Sequence, residues 1–73
     1  MTAHGDALRV TVNGDGRDVA PGTTVDRLVA DLGFEPRGIA VAVDGEVVTR
    51  RTWDDRVLRG GESVEVLSIA QGG

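Results

Sequence analysis

Two dipeptides, Asn13-Gly14 and Asp44-Gly45, each lie beside apolar runs of alternating character, and they restrict the fold more than any other feature of the chain. A two-residue hairpin turn needs positive φ at successive positions to match the twist of the strands it joins, and Asn-Gly and Asp-Gly tolerate that conformation. Ahead of the first pair, Leu8, Val10 and Val12 alternate with Arg9 and Thr11, the period of two that buries one face of a strand. The sequence predicts a turn over Asn13-Gly14-Asp15-Gly16 and a short return strand over residues 17–20, closed by Pro21-Gly22. Ahead of the second pair, Ile39, Val41 and Val43 alternate with Ala40 and Ala42. The return strand predicted there covers residues 46–49.

Between the two hairpins the period changes. Val25, Leu28, Val29 and Leu32 fall at i, i+3, i+4 and i+7, one face of a helix, with Asp26, Arg27 and Asp31 on the other. Thr23 and Thr24 both offer an N-cap hydroxyl, and Thr23-x-x-Asp26 resembles a capping box. Gly33 fits the C′ position. One helix over Val25–Leu32 is predicted. Residues 52–58 show no clean period and are read as holding a short helical turn; Gly60-Gly61 turns the chain into a last strand over residues 64–69. The order ββ-α-ββ-turn-β predicts the α+β class: a mixed sheet of four to five strands with one main helix packed on one face, as in the ubiquitin-like β-grasp fold.

Seventy-three residues make one small domain, which buries only about 60% of its unfolded surface. That leaves room for one core and none for an enclosed substrate cavity, which weighs against an enzyme. The organisation predicted is a flexible leader over 1–7, the domain over 8–69 and a flexible functional tail over 70–73. Net charge is −4, the opposite of the usual nucleic-acid binder. The chain has no cysteine, so disulfides, cysteine-rich zinc sites and thiol nucleophiles are excluded on it. Its only histidine, His4, lies in the polar stretch before the first strand, where no catalytic base constellation can be built around it. All eight basic residues are arginine, so no ε-amino group is present for isopeptide or Schiff-base chemistry. No apolar run approaches the roughly 20 residues of a membrane-spanning helix, and residues 1–6 lack the pattern of a signal peptide. The expected location is the cytoplasm.

Candidate sites carry competing readings. Gly14-x-Gly16 has the wrong spacing for a phosphate-binding loop and reads as hairpin turn. Asp54-Asp55 reads as a solvated turn, since adjacent side chains point apart. Arg50-Arg51 suits a phosphate or a partner's acidic patch, or is a charged connection. Trp53 and Phe34, the two aromatic residues, read as packing plugs. On the last strand Val64 and Val66 share one face, while Glu65, Leu67 and Ile69 share the other. Leu67 and Ile69 therefore either form a partner surface or are covered by the chain's own leader or a loop.

The sequence ends on Gly72-Gly73 directly after that strand. Residues 70–73 extend to about 13–14 Å, and glycine's lack of a side chain suits passage through a narrow cleft. The C-terminal carboxylate is the expected functional group. A carboxylate is a poor electrophile, and activation as an acyl-adenylate requires ATP and a second enzyme. Without cysteine, sulfur carried by this chain would have to be a thiocarboxylate on Gly73.

The stretches Ile39-Ala-Val-Ala-Val43, Val48-Thr-Arg-Arg-Thr-Trp53, Gly60-Gly-Glu-Ser-Val-Glu-Val66 and the terminal Gly72-Gly73 resemble the ThiS family, the sulfur carriers of thiamine biosynthesis. The spacing of Val48, Arg50 and Trp53 is the most specific element, and the resemblance covers about residues 8–73. It implies that a ubiquitin-activating-like adenylyltransferase of the ThiF type adenylates Gly73. A sulfur donor relay from a cysteine desulfurase then forms the thiocarboxylate, and a ThiG-type thiazole synthase takes the sulfur. Gly72, Gln71 and Ala70 would be read as the tail, and Leu67, Ile69 and Arg50 would face partners. No bound cofactor and no metal are implied. Gln71 stands where the family usually has a small residue. Sulfur carriage for molybdopterin or cysteine synthesis, tagging of other proteins, and a plain binding module are the alternatives.

Overall fold

The computed structural model describes residues 7–69; the expectations placed on residues 1–6 and on residues 70–73 lie outside the described residues. Five strands and one α-helix follow in the order β1 (Leu8–Val12), β2 (Asp15–Val19), α1 (Val25–Leu32), β3 (Ile39–Val43), β4 (Glu46–Val48) and β5 (Ser63–Ser68). Short 3-10 turns cover Pro36–Gly38 and Arg50–Thr52. The sheet order is β2-β1-β5-β3-β4. β5 lies in the middle, parallel to β1 and antiparallel to β3, while β1–β2 and β3–β4 are antiparallel hairpins.

Both hairpins turn where the dipeptides require. Asn13 and Gly14 have φ of 52° and 89°, and Asp44 and Gly45 have 51° and 86°. The turn at Asn13-Gly14 has two residues, so Asp15 already pairs with Val12. β2 thus begins two residues earlier than the turn predicted over 13–16 allowed. β4 ends at Val48 because Thr49 becomes the N-cap of the 3-10 turn. The short helical turn expected within residues 52–58 continues that 3-10 turn: the Asp55 and Arg56 N–H groups both donate to the Thr52 carbonyl at 3.0 Å.

The helix starts on Thr24, whose Oγ1 accepts the Arg27 N–H at 3.2 Å. The Thr23 capping box does not form, because the Thr23 hydroxyl donates instead to the Ala20 carbonyl at 2.6 Å. Free N–H groups at the first turn of a helix need acceptors. Here the N–H groups of Val25 and Asp26 donate to the carbonyls of Arg56 and Trp53, so the segment after Arg50–Thr52 caps the helix. Gly33 ends the helix with φ 83°; its N–H donates to Ala30 and that of Phe34 to Val29, a Schellman motif.

Val10, Val12, Val19, Val25, Leu28, Val29, Ile39, Val41, Val43, Val64 and Val66 form the core between helix and sheet, closed by Trp53 and Leu58. Trp53 is the packing plug expected of it, at 2% exposure. Phe34 is not: it is 40% exposed. It follows the helix-ending glycine, where no layer remains above it. There it lines an open depression of about 300 Å³ with Val12, Leu32 and Arg17.

Candidate functional site

The Val48-x-Arg50-x-x-Trp53 spacing has a mechanical basis. The indole Nε1 of Trp53 donates to the Val48 carbonyl at 2.9 Å across the 3-10 turn, and the Trp53 N–H donates to Arg50 O at 3.2 Å. The tryptophan thereby fixes the end of β4, leaving Arg50 and Arg51 exposed on the turn. Asp54 and Asp55 are exposed in the turn beyond it.

β5 is held from both sides by Asn13 and Asp44, the two non-glycine turn residues with positive φ among the described residues. The Asp44 N–H donates to the Ser63 carbonyl at 2.7 Å, and its Oδ1 accepts the Ser63 N–H at 2.8 Å. On the other side, the Asn13 N–H donates to Val64 O at 2.8 Å. The Asn13 side chain then takes over from the backbone: Oδ1 accepts the Val66 N–H at 2.8 Å, and Nδ2 donates to Val66 O at 3.3 Å. The chain has turned away at Gly14, and the carboxamide stands in for the peptide group that β1 no longer supplies. Sequence reading marked Asn13 only as a turn former. Its second role was not legible, because it depends on β5 being the neighbour of β1.

Behind β5, Glu62 organises the approach to the strand. Its Oε2 accepts from Arg56 Nη2 at 2.8 Å and its Oε1 accepts the Arg59 N–H at 2.7 Å. Burial pushes the Glu62 carboxyl up, but these hydrogen bonds outweigh it and hold the group below the usual carboxylate value. The hydrogen bond to Glu62 raises Arg56 above its ordinary value in turn.

With Val64 and Val66 buried against the helix, Leu67 and Ile69 lie on the outer face at 55% and 54% exposure. The register sets Leu67 opposite Ala40, and Val47 and Glu65 on either side of Ala42. Val47 is exposed as well, so the outer face of β4, β3 and β5 carries an apolar band that leads to the end of the described chain. Arg50 lies at the same end of the sheet but on the turn after β4, off this band. Ala70, Gln71, Gly72 and Gly73 are outside the described residues.

The depression of about 470 Å³ beside Thr24, Arg27 and Arg17 is not a ready anion site, because the N–H groups of the adjoining helix turn are already taken by protein carbonyls and Thr24. Among the described residues no group of three or more His, Asp or Glu side chains is placed to hold a metal ion, and no helix is long and apolar enough to cross a membrane.

Comparison with known proteins matches residues 10–73 to the family model described as the ThiS family. The sulfur carrier protein ThiS of Thermus thermophilus is 36% identical over 64 residues, covering 88% of this chain and 98% of that protein. A thiazole synthase of Magnetococcus marinus is 33% identical over 66 residues, which is 90% of this chain but only 20% of the synthase. The crystal structure of the thiamine biosynthesis protein ThiS from Geobacter metallireducens superimposes with a TM-score of 0.79 at 30% identity, covering 90% of this chain and all of that one.

Proposed function

The chain belongs to the ThiS family, the sulfur carriers of thiamine biosynthesis, and from that premise we propose that it carries sulfur as a thiocarboxylate on Gly73. The carboxylate of Gly73 attacks the α-phosphorus of ATP on a ThiF-type adenylyltransferase, and pyrophosphate leaves. Sulfur from a cysteine desulfurase relay then attacks the acyl carbon, and AMP leaves. If the relay delivers a persulfide, the acyl disulfide so formed is cleaved by a thiol, which is oxidised as the thiocarboxylate is released. A ThiG-type thiazole synthase consumes that sulfur in building the thiazole ring.

The observation that carries this reading is the family match itself, which runs through Gly73. The similarity to part of a thiazole synthase supports the choice of consuming enzyme. The chain's own residues act as a handle. Leu67, Ile69 and Arg50 contact partners; Ala70, Gln71 and Gly72 thread the tail into the cleft. ATP belongs to the activating enzyme, and the work takes place in the cytoplasm. A deletion of Gly73 tests it: a strain relying on this chain stops growing without added thiamine, and grows again when thiamine is supplied. Unimpaired growth of the deletion strain would overturn the proposal, as would a requirement for a molybdenum cofactor or cysteine in place of thiamine.

A further inference from the structure

Three arginines collect at the end of the sheet from which the chain continues toward Gly73. β3 begins and β5 ends there, since Ile39 is opposite Ser68. The Ile69 N–H donates to the Gly38 carbonyl at 2.9 Å, which sets Arg37 beside the start of the tail. β4 runs antiparallel to β3 with Val48 opposite Val41, so it ends at the same edge, and Arg50 and Arg51 follow in the 3-10 turn. β4 is two strands from β5, about 10 Å, close to the screening length of about 8–10 Å in physiological salt. The three side chains therefore act as one patch on an approaching charge. All three residues are exposed. None is in an ion pair among the described residues, whereas Arg9, Arg27 and Arg56 are each matched to a carboxylate. The acids nearest in sequence are Glu35, two positions before Arg37, and Asp54 and Asp55, three and four positions after Arg51; none of them is ion-paired to these arginines among the described residues.

Resting on the sulfur-carrier reading, we propose that Arg37, Arg50 and Arg51 dock an acidic rim around the activating-enzyme cleft that takes Gly73. The choice of an acidic protein surface follows from the charge distribution. The chain as a whole is at −4, so an acidic partner is repelled by the molecule at large and attracted at this end. The encounter is thereby oriented with the tail leading. A basic partner would be drawn to the wrong faces. Four extended residues reach about 13–14 Å, so a nucleotide met at the tip of a fully extended tail is past the stretch where these arginines sit, and the patch reads the rim and not the phosphates.

The test is the association rate of the full chain with its activating enzyme, at low and high NaCl, alongside ATP–pyrophosphate exchange titrated over carrier concentration. Arg50→Ala/Arg51→Ala is compared with Arg17→Ala/Arg59→Ala, which changes net charge equally at two arginines that also lack ion pairs among the described residues. Arg37→Ala is then added to the first pair. The proposal predicts a roughly 5–10-fold slower association for Arg50→Ala/Arg51→Ala at low salt, a further loss with Arg37→Ala, convergence at high salt and a raised half-saturating carrier concentration in exchange. The Arg17→Ala/Arg59→Ala control stays within about twofold by the same reasoning. Equal slowing in both doubles would show a net-charge effect and overturn the proposal, as would no slowing, or self-association of the chain through these arginines. A wild-type chain that binds with this charge dependence but supports no exchange would overturn the sulfur-carrier reading and leave the docking surface standing. Failure of the wild type to bind would overturn both.

Discussion

Replacing Asn13 with glycine separates the turn from the clamp that the same residue provides. At φ 52° glycine is at least as comfortable as asparagine, so the hairpin is kept. What disappears is the side-chain pairing with Val66. The bond from the Val66 N–H, at 2.8 Å, has good geometry and is worth about 0.5–1.5 kcal/mol net. The bond from Nδ2, at 3.3 Å, lies past the usual distance range and adds a fraction of that. Extra unfolded-state freedom of glycine costs a few tenths more. The sum is about 1–2 kcal/mol, and each kcal/mol lowers Tm by roughly 4–8 °C in a domain of this size. Asn13→Ala loses the same bonds and adds roughly 1–2 kcal/mol of left-handed backbone strain. Fluorescence of Trp53, the only tryptophan and 2% exposed, reports unfolding in urea, and hydrogen exchange at Val66 reports the clamp locally. The stability order is wild type, then Asn13→Gly, then Asn13→Ala, with faster Val66 exchange in both variants. An Asn13→Gly protein as stable as wild type, with unchanged Val66 exchange, would refute the reasoning.

Further outcomes follow from other contacts. Glu62 has its folded pKa below the ordinary value of 4.5, so its contribution is complete above that pH and is lost as pH falls through the lower folded value; denaturation midpoints between pH 3 and 7 (on the order of the range in which carboxylates titrate) fall with acid in the wild type and less steeply in Glu62→Gln. Trp53→Phe keeps most of the ring but leaves the Val48 carbonyl without its 2.9 Å donor, costing about 1–3 kcal/mol in thermal denaturation; Trp53→Ala costs about 3–5 kcal/mol and loses the far-UV circular dichroism of the fold at physiological temperature. Leu67→Ser, at a half-exposed position, changes stability by less than about 0.5 kcal/mol and weakens binding to the activating enzyme in calorimetry; unchanged affinity would remove Leu67 from the partner surface.

Much of the fold was legible because it is written in local pattern. Helix Val25–Leu32 and strand Ile39–Val43 occupy the residues their periodicities marked, and both primed turns fall on the dipeptides that need positive φ. The misplacements have specific causes. A two-residue turn let β2 start at Asp15, and Thr49 left β4 to cap a 3-10 turn that no apolar period announces. Thr23 and Thr24 are chemically equivalent as caps. They differ in what surrounds them: the Thr23 hydroxyl donates to the Ala20 carbonyl at 2.6 Å, and the Thr23 carbonyl accepts the Leu58 N–H at 2.8 Å, a contact between segments far apart in sequence. Phe34 was read from its chemistry alone as a plug, and its position just past the helix-ending Gly33 overrides that. For the candidate site, the outward placement of Leu67 and Ile69 followed from period two along β5. The Asn13–Val66 clamp and the gathering of Arg37 with Arg50 and Arg51 depend on strand order and register, which one sequence does not encode locally.

Gly73 is proposed as the sulfur-bearing end of the carrier. Intact mass spectrometry with fragmentation, after incubation with ATP, the activating enzyme and a sulfur donor, tests it most directly. The account predicts a mass gain equal to the exchange of one oxygen for one sulfur, located on Gly73 and absent when ATP is omitted. An unchanged mass with a partner set that loads another ThiS carrier, or a gain placed on any other residue, would contradict it.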